Sequence, residues 1–135
     1  MVNPIIRYIP NVLVGARYNI QALEYWSENA LANYKEYINY GGTKSKYYSS
    51  GNITVERSVP VNVMISMMAQ DNTLKGIIEI LRNYVMPNVI TRDEDNLINE
   101  KGLKASMPKG NDSIFARYDV AGKGKINMLK FVTNN

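Results

Sequence analysis

NITVERSVPVNVMISMM, residues 52–68, is the stretch on which the fold turns. Its odd positions are Ile53, Val55, Arg57, Val59, Val61, Val63, Ile65 and Met67. The even ones are Thr54, Glu56, Ser58, Pro60, Asn62, Met64, Ser66 and Met68. Successive side chains of a pleated strand point to opposite faces, so this alternation predicts one long, half-buried β-strand over about 53–68. Wound as a helix, the same apolar residues are expected to scatter around the cylinder. Pro60 breaks the ladder and Arg57 the apolar face, which places the strand near a sheet edge or gives it a bulge.

Downstream, Asp71 and Asn72 are candidate N-caps for a helix over about 73–85, with Leu74, Ile77, Ile78 and Leu81 on one face. The expected core is the long strand lying under this helix. Met86-Pro87 ends the helix, and Asn88-Val89-Ile90-Thr91 has the length of a short strand. Arg92-Asp93-Glu94-Asp95 opens a polar stretch read as a loop to about residue 111. Adjacent carboxylates can hold a hard cation, but a solvated loop is the commoner origin of such a run, and no metal site is assigned. Farther on, Ile114, Ala116, Tyr118 and Val120 alternate with Phe115, Arg117 and Asp119. That pattern predicts a C-terminal hairpin of strands 114–120 and 125–132 around Ala121-Gly122-Lys123-Gly124. The competing reading is half an EF-hand beginning at Asp119. It puts Ala121, Lys123 and Lys130 where oxygen ligands are needed, so it offers no calcium site.

Upstream, a helix is expected over about 18–40, with Ile20, Leu23, Ala30, Leu31, Tyr34 and Ile38 on one stripe and Gly41-Gly42 at its end. It is dense in aromatic residues. Some belong to a core, while Tyr25, Trp26 and Tyr37 are candidates for a protein–protein interface. Residues 1–16 hold two apolar runs split by Pro10-Asn11 and read as an N-terminal arm. Lys44 and Lys46 beside Tyr47 and Tyr48 interleave charge with aromatic rings, the pattern of a nucleic-acid or protein contact. Residues 46–49 could also pair with the start of the long strand. Gly41-Gly42-Thr43-Lys44-Ser45 lacks the spacing of a phosphate loop.

At 135 residues with 45% hydrophobic and 21% charged side chains, the chain has the size and composition of one globular domain. The fold class expected is α+β: a mixed or antiparallel sheet with a long central strand, two packing helices and a C-terminal hairpin. The chain has no cysteine and no histidine. That excludes disulfides, thiolate chemistry and every nucleophile pair that needs an imidazole. A non-enzymatic protein without cofactor is expected. If there were catalysis, Asp93, Glu94 and Asp95 would be the first groups to test. No apolar run is long enough to cross a bilayer, and residues 1–10 lack a signal-peptide pattern, so an intracellular protein is expected. Residues 101–135 carry seven basic side chains against Asp112 and Asp119, a net +5 where the whole chain is +4. Lys123 and Lys125 are the candidate contact residues of that basic segment.

The run V59-P60-V61-N62-V63-M64-I65, with D71-N72, I77-I78-E79-I80-L81 and M86-P87-N88-V89 after it, resembles a pattern in tail terminator, or tail-completion, proteins of tailed bacteriophages. There a strand of the type V-P-x-x-V/L-x-I leads into a helix carrying I-I/V-E-x-I-L that stops near a proline. The resemblance covers about residues 53–90. It implies a small α+β virion protein that forms a ring, typically hexameric, at the head-proximal end of the tail. Such a ring joins the tail to the head or to adjacent tail parts, with copies of itself and other virion proteins as partners. It carries over no reactive residue, because such proteins work through surfaces. The alternative is a small basic accessory protein that binds nucleic acid or one host protein.

Overall fold

Val89 and Ile90 are neighbours in the chain, both fully buried, and they enter different cores. Successive residues of a strand point to opposite faces, so the strand that holds them is covered on both sides. The structure is a computed structural model that describes residues 23–43, 46–47 and 52–131. The elements are β1 (Tyr25–Ser27), α1 (Glu28–Asn39), β2 (Ile53–Arg57), α2 (Val61–Gln70), α3 (Leu74–Tyr84), β3 (Pro87–Thr91), α4 (Arg92–Glu100), α5 (Ala116–Gly122) and β4 (Met128–Lys130). Together they make a small α+β fold, as the sequence leads one to expect. The sheet is mixed, in the order β2-β3-β1-β4, with β1 parallel to β3 and both edge strands antiparallel to their neighbours.

The register assigns each face. Val55, Val89, Trp26 and Leu129 form one cross-strand row. On that side Trp26 and Val89 meet Ala30 and Tyr34 of α1, together with Tyr47 and Ile53. The next row, Glu56, Asn88, Tyr25 and Lys130, faces the other way. There Ile90 packs with Ile98 of α4, Tyr118 and Ala121 of α5, Leu103 and Ile126. A third, smaller cluster of Val59, Met64 and Met68 lies inside the α2–α3 hairpin.

The long strand stops at Arg57, and residues 61–70 are helical. Pro60, at φ −59°, lacks the N–H that a central strand must donate and is well placed at the start of a helix. Val61, Met64, Ile65 and Met68 then stand at i, i+3, i+4 and i+7, a helical stripe hidden within the alternation. Met64, Ile65 and Met68 are buried, whereas Asn62, Ser66, Ala69 and Gln70 are exposed. Burying a methionine or isoleucine on such a face stabilises by about 1.5–3 kcal/mol, enough to override the low helix propensity of Val61 and Val63. The strand half of the phage-tail resemblance, residues 59–65, is therefore not a strand here.

Five further expectations are corrected. The polar stretch after Thr91 is not a loop: residues 92–100 are α4, closed by a capping box in which Thr91 and Glu94 serve each other's backbone N–H groups. The C-terminal hairpin is not formed. Residues 116–122 are α5, which buries Ala116, Arg117, Tyr118 and Ala121, and only Met128–Lys130 is a strand, paired with β1. The expected helix over 18–40 starts at Glu28, because Tyr25–Ser27 is a strand and Ser27 caps the helix by accepting from the N–H of Ala30 at 3.0 Å. Thr73, rather than Asp71 or Asn72, caps α3. Lys46 and Tyr47 are helical, so they do not begin a hairpin with β2. The arm at 1–16, residues 18–22, Lys44 and Tyr48 lie outside the described residues.

Candidate functional site

The cross-strand row of Glu56 and Asn88 meets two side chains of α5, and together they make a buried polar cluster. Arg117 is fully buried and donates from Nε to the carbonyl of Leu103 at 2.7 Å. Its terminal nitrogens donate to Glu56 Oε2 at 3.0 Å, the Arg57 carbonyl at 2.6 Å and the Lys104 carbonyl at 3.2 Å. Tyr118 donates its hydroxyl to Glu56 Oε2 at 3.1 Å and accepts from Asn88 Nδ2 at 3.0 Å. Asn88 also donates to Ser58 Oγ. Burial pushes the Glu56 carboxyl above its ordinary range, and the Arg117 charge and the two hydrogen bonds only partly offset this. The Tyr118 hydroxyl is driven well upward, by burial first and by the Glu56 charge second.

This cluster resembles catalytic machinery in its residue types but not in its connections. Glu56 Oε2 takes two protein donors, and Arg117 is held by three backbone carbonyls. What the cluster joins is the end of β2, the 103–104 turn, β3 and α5. A cleft of about 320 Å³ opens beside Glu56, lined also by Arg57, Pro60, Asn62 and Lys104. Among the described residues no group of three acidic side chains is placed to hold a metal ion. No helix among them is long and apolar enough to cross a membrane.

The carboxylates at 93–95 have separate places. Asp93 is exposed and Asp95 half-buried, while Glu94 is only 4% exposed. Glu94 accepts from the Ser27 hydroxyl at 2.6 Å, Asn29 Nδ2 at 2.9 Å and the Thr91 N–H at 2.9 Å. One carboxylate thus sits at the first turns of both α1 and α4, where helix dipoles favour negative charge. Its role is to hold the fold together.

Most of the aromatic interface candidates turn inward. Trp26 is fully buried, with its ring centre 5.3 Å from Tyr34, 6.4 Å from Tyr47 and 5.1 Å from Phe131. Its Nε1 donates to the Leu23 carbonyl at 3.1 Å. Tyr47 is likewise buried, with its hydroxyl 2.7 Å from Asn33 Oδ1, and burial beside Tyr34 raises its pKa far above the usual tyrosine value. Tyr37 packs on Tyr47 at 5.1 Å, and Tyr25 is half-buried against Phe115 at 5.3 Å. The core, not a partner, accounts for Trp26 and Tyr47. Among the basic candidates Lys46 is exposed, and Lys123 and Lys125 are brought together with Lys101, which sequence reasoning missed.

The surface that sequence reasoning also missed is the outer face of α3. Leu74 is 76% exposed and Ile78 44% exposed, and Gly76 is the only buried residue of the helix. Ile77, Ile80, Leu81 and Tyr84 are half-buried against α2 and its neighbours. The signal was present in the apolar stripe at 74, 77, 78 and 81. Residues 61–70 form a short helix instead of a long strand, and the stripe is only partly buried among the described residues. Beside the hairpin lies a groove of about 530 Å³, floored by Val59, Met67, Tyr84, Met107 and Ile114.

Fold and site together define a small α+β domain with a buried polar cluster and an amphipathic helix whose apolar stripe is partly exposed. The chain matches no protein-family model, and comparison with curated proteins and with solved structures finds no significant similarity.

Proposed function

We propose that this chain is a non-enzymatic assembly protein that binds copies of itself through the outer face of the α2–α3 hairpin. The observation that carries this reading is the exposure of Leu74 and Ile78 on a helix whose apolar stripe is only half covered among the described residues. Such a stripe on a soluble surface marks a contact site. Its flanks bear both signs, Lys75 and Arg82 with Glu79, which suits a copy of the same surface better than a uniformly charged partner. The lack of cysteine and histidine, and the internal use of Glu56, Glu94 and Arg117, favour work done by shape and contact. The resemblance at residues 74–90, a helix with I-I-E-I-L ending at a proline, supplies the specific form of the proposal. In that form the protein is a tail or neck component of a tailed bacteriophage, closed into a ring in the virion and meeting other virion proteins there.

Light scattering after size exclusion, with negative-stain images of the main peak, tests this. The wild type is expected as a closed oligomer of cyclic symmetry. The double variant Leu74→Glu/Ile78→Glu is expected to be monomeric and still folded, since both side chains are exposed in the single chain. A wild type that stays monomeric at every concentration reached, or an oligomer indifferent to the double variant, overturns the reading.

A further inference from the structure

The ends of α4 and α5 converge on a depression of about 300 Å³ that shares no residue with the α3 stripe. Its apolar surface comes from Leu97, which is 38% exposed, with the nearly buried Ala121 beneath it, and Val120 of α5 is itself 42% exposed. Three ammonium groups surround it, those of Lys101, Lys123 and Lys125, against the single carboxylate of Glu100. Among the described residues none of these lysines is in an ion pair.

Lys123 is the telling residue. It is the C-cap of α5 and sits at φ 49°, ψ 44°, the left-handed region that glycine enters freely and a residue with a Cβ does not. It is the one non-glycine residue with positive φ among those described, and Gly124 follows it at φ 81°. A lysine at a position made for glycine works against the fold locally, and backbone strain of this kind gathers at functional sites.

The chemistry around it selects the ligand. Several of the closing carbonyls already have donors: Gly102 N–H donates to Asn99, Leu103 N–H to Ile98 and Lys125 N–H to Gly122, at 2.9–3.0 Å. No aromatic ring lines the depression, so it offers no platform for a nucleic-acid base. Two helix C-termini disfavour any anion on its floor, carboxylate or phosphate alike, so the acidic groups of a ligand belong at the rim. The ammonium groups, on four-carbon stems, reach the rim instead. We propose that this depression docks an acidic, amphipathic peptide segment of a partner protein. An apolar side chain of that segment rests on Leu97, and carboxylates on either side of it meet Lys101, Lys123 and Lys125.

The test uses the full chain at low salt and three labelled probes: a synthetic peptide of alternating Glu and Leu, a Glu-only peptide of equal charge, and a single-stranded oligonucleotide. The Glu–Leu peptide is expected to bind most tightly, and Lys123→Gly to weaken it about three- to fivefold, the scale of one exposed charge contact. The same substitution relieves the left-handed strain, so the thermal midpoint is expected to rise. The triple variant Lys101→Gln/Lys123→Gly/Lys125→Gln is expected to lose binding while remaining folded. The monomeric Leu74→Glu/Ile78→Glu variant is expected to bind as the wild type does, which keeps this proposal separate from self-assembly. Tighter binding of the oligonucleotide, equal binding of the two peptides, binding unaffected by the triple variant, or a lowered midpoint in Lys123→Gly each overturns it.

Discussion

Glu94 shows how little a residue's type says about its work. Asp93, Glu94 and Asp95 look alike in the chain, yet only Glu94 bridges the first turns of two helices. Glu94→Ala is expected to lower stability by about 3 kcal/mol, since it strands buried donors on Ser27 and the Thr91 backbone. Asp93→Asn, at an exposed position, is expected to stay within about 0.5 kcal/mol, and urea midpoints of the two variants check the contrast. The buried pair Arg117–Glu56 makes a second residue-scale prediction. The Glu56 carboxyl is raised in the folded protein, so the native state holds its proton to higher pH than the unfolded chain does. The stability this contributes is complete below the ordinary value of 4.5 and is lost as pH rises through the folded value. Wild-type stability is therefore expected to fall over that window relative to Glu56→Gln. A difference that is flat or rises with pH would contradict the assignment. Arg117→Met, which removes the cation paired with the mostly buried Glu56, is expected to cost about 3 kcal/mol at neutral pH.

Among the elements, α5 is the least expected and the most constrained. Its seven residues bury five, and Gly122 closes it against the turn that follows. A Cβ on Gly122 would lie 2.5 Å from Ile126 Cγ1 and 2.9 Å from Ile126 Cβ, both in the core. Gly122→Ala is expected to destabilise by about 1–3 kcal/mol through overpacking, although alanine is ordinarily the better helix residue. An increase in the thermal midpoint would show that the turn yields more easily than this packing implies. The helix α4 is legible in the sequence: Thr91-x-x-Glu94 ahead of Leu97 and Ile98 is the signature of a capping box, masked by the run of charge at 92–95. For α2 both periods were present. The alternation of Val59, Val61, Val63 and Ile65 competed with the helical spacing of Val61, Met64, Ile65 and Met68, and the period alone does not choose between them.

The whole molecule presents two surfaces of opposite character, the apolar α3 stripe and the basic depression at the ends of α4 and α5. Salt separates them. Self-association through Leu74 and Ile78 is expected to persist or strengthen as salt rises, because burial of apolar surface is not screened. Peptide binding at Lys101, Lys123 and Lys125 is expected to weaken over the same range, since exposed charges are screened within about a Debye length of 8–10 Å. Sedimentation and fluorescence anisotropy on one salt series read both. If the two respond alike, one surface serves both roles.

Some of this protein was determined by sequence alone. The α+β class, the helix at 74–84 with its apolar stripe, the strand at 87–91, the left-handed turn at Gly41 (φ 86°) and the lack of thiol or imidazole chemistry all follow from local patterns or from composition. Tertiary structure decided the rest. Whether 61–70 and 116–122 become strand or helix depends on what their apolar residues meet, and Met64, Met68, Tyr118 and Ala121 find their partners tens of residues away or across a helix hairpin. Trp26 and Tyr47 are core because β3 and α1 close over them, which no local pattern specifies. The meeting of Lys101 with Lys123 and Lys125 has the same origin: two helices joined by the irregular segment 101–115 end at the same place. Periodicity reports which residues share a face, but only packing reports whether that face is covered.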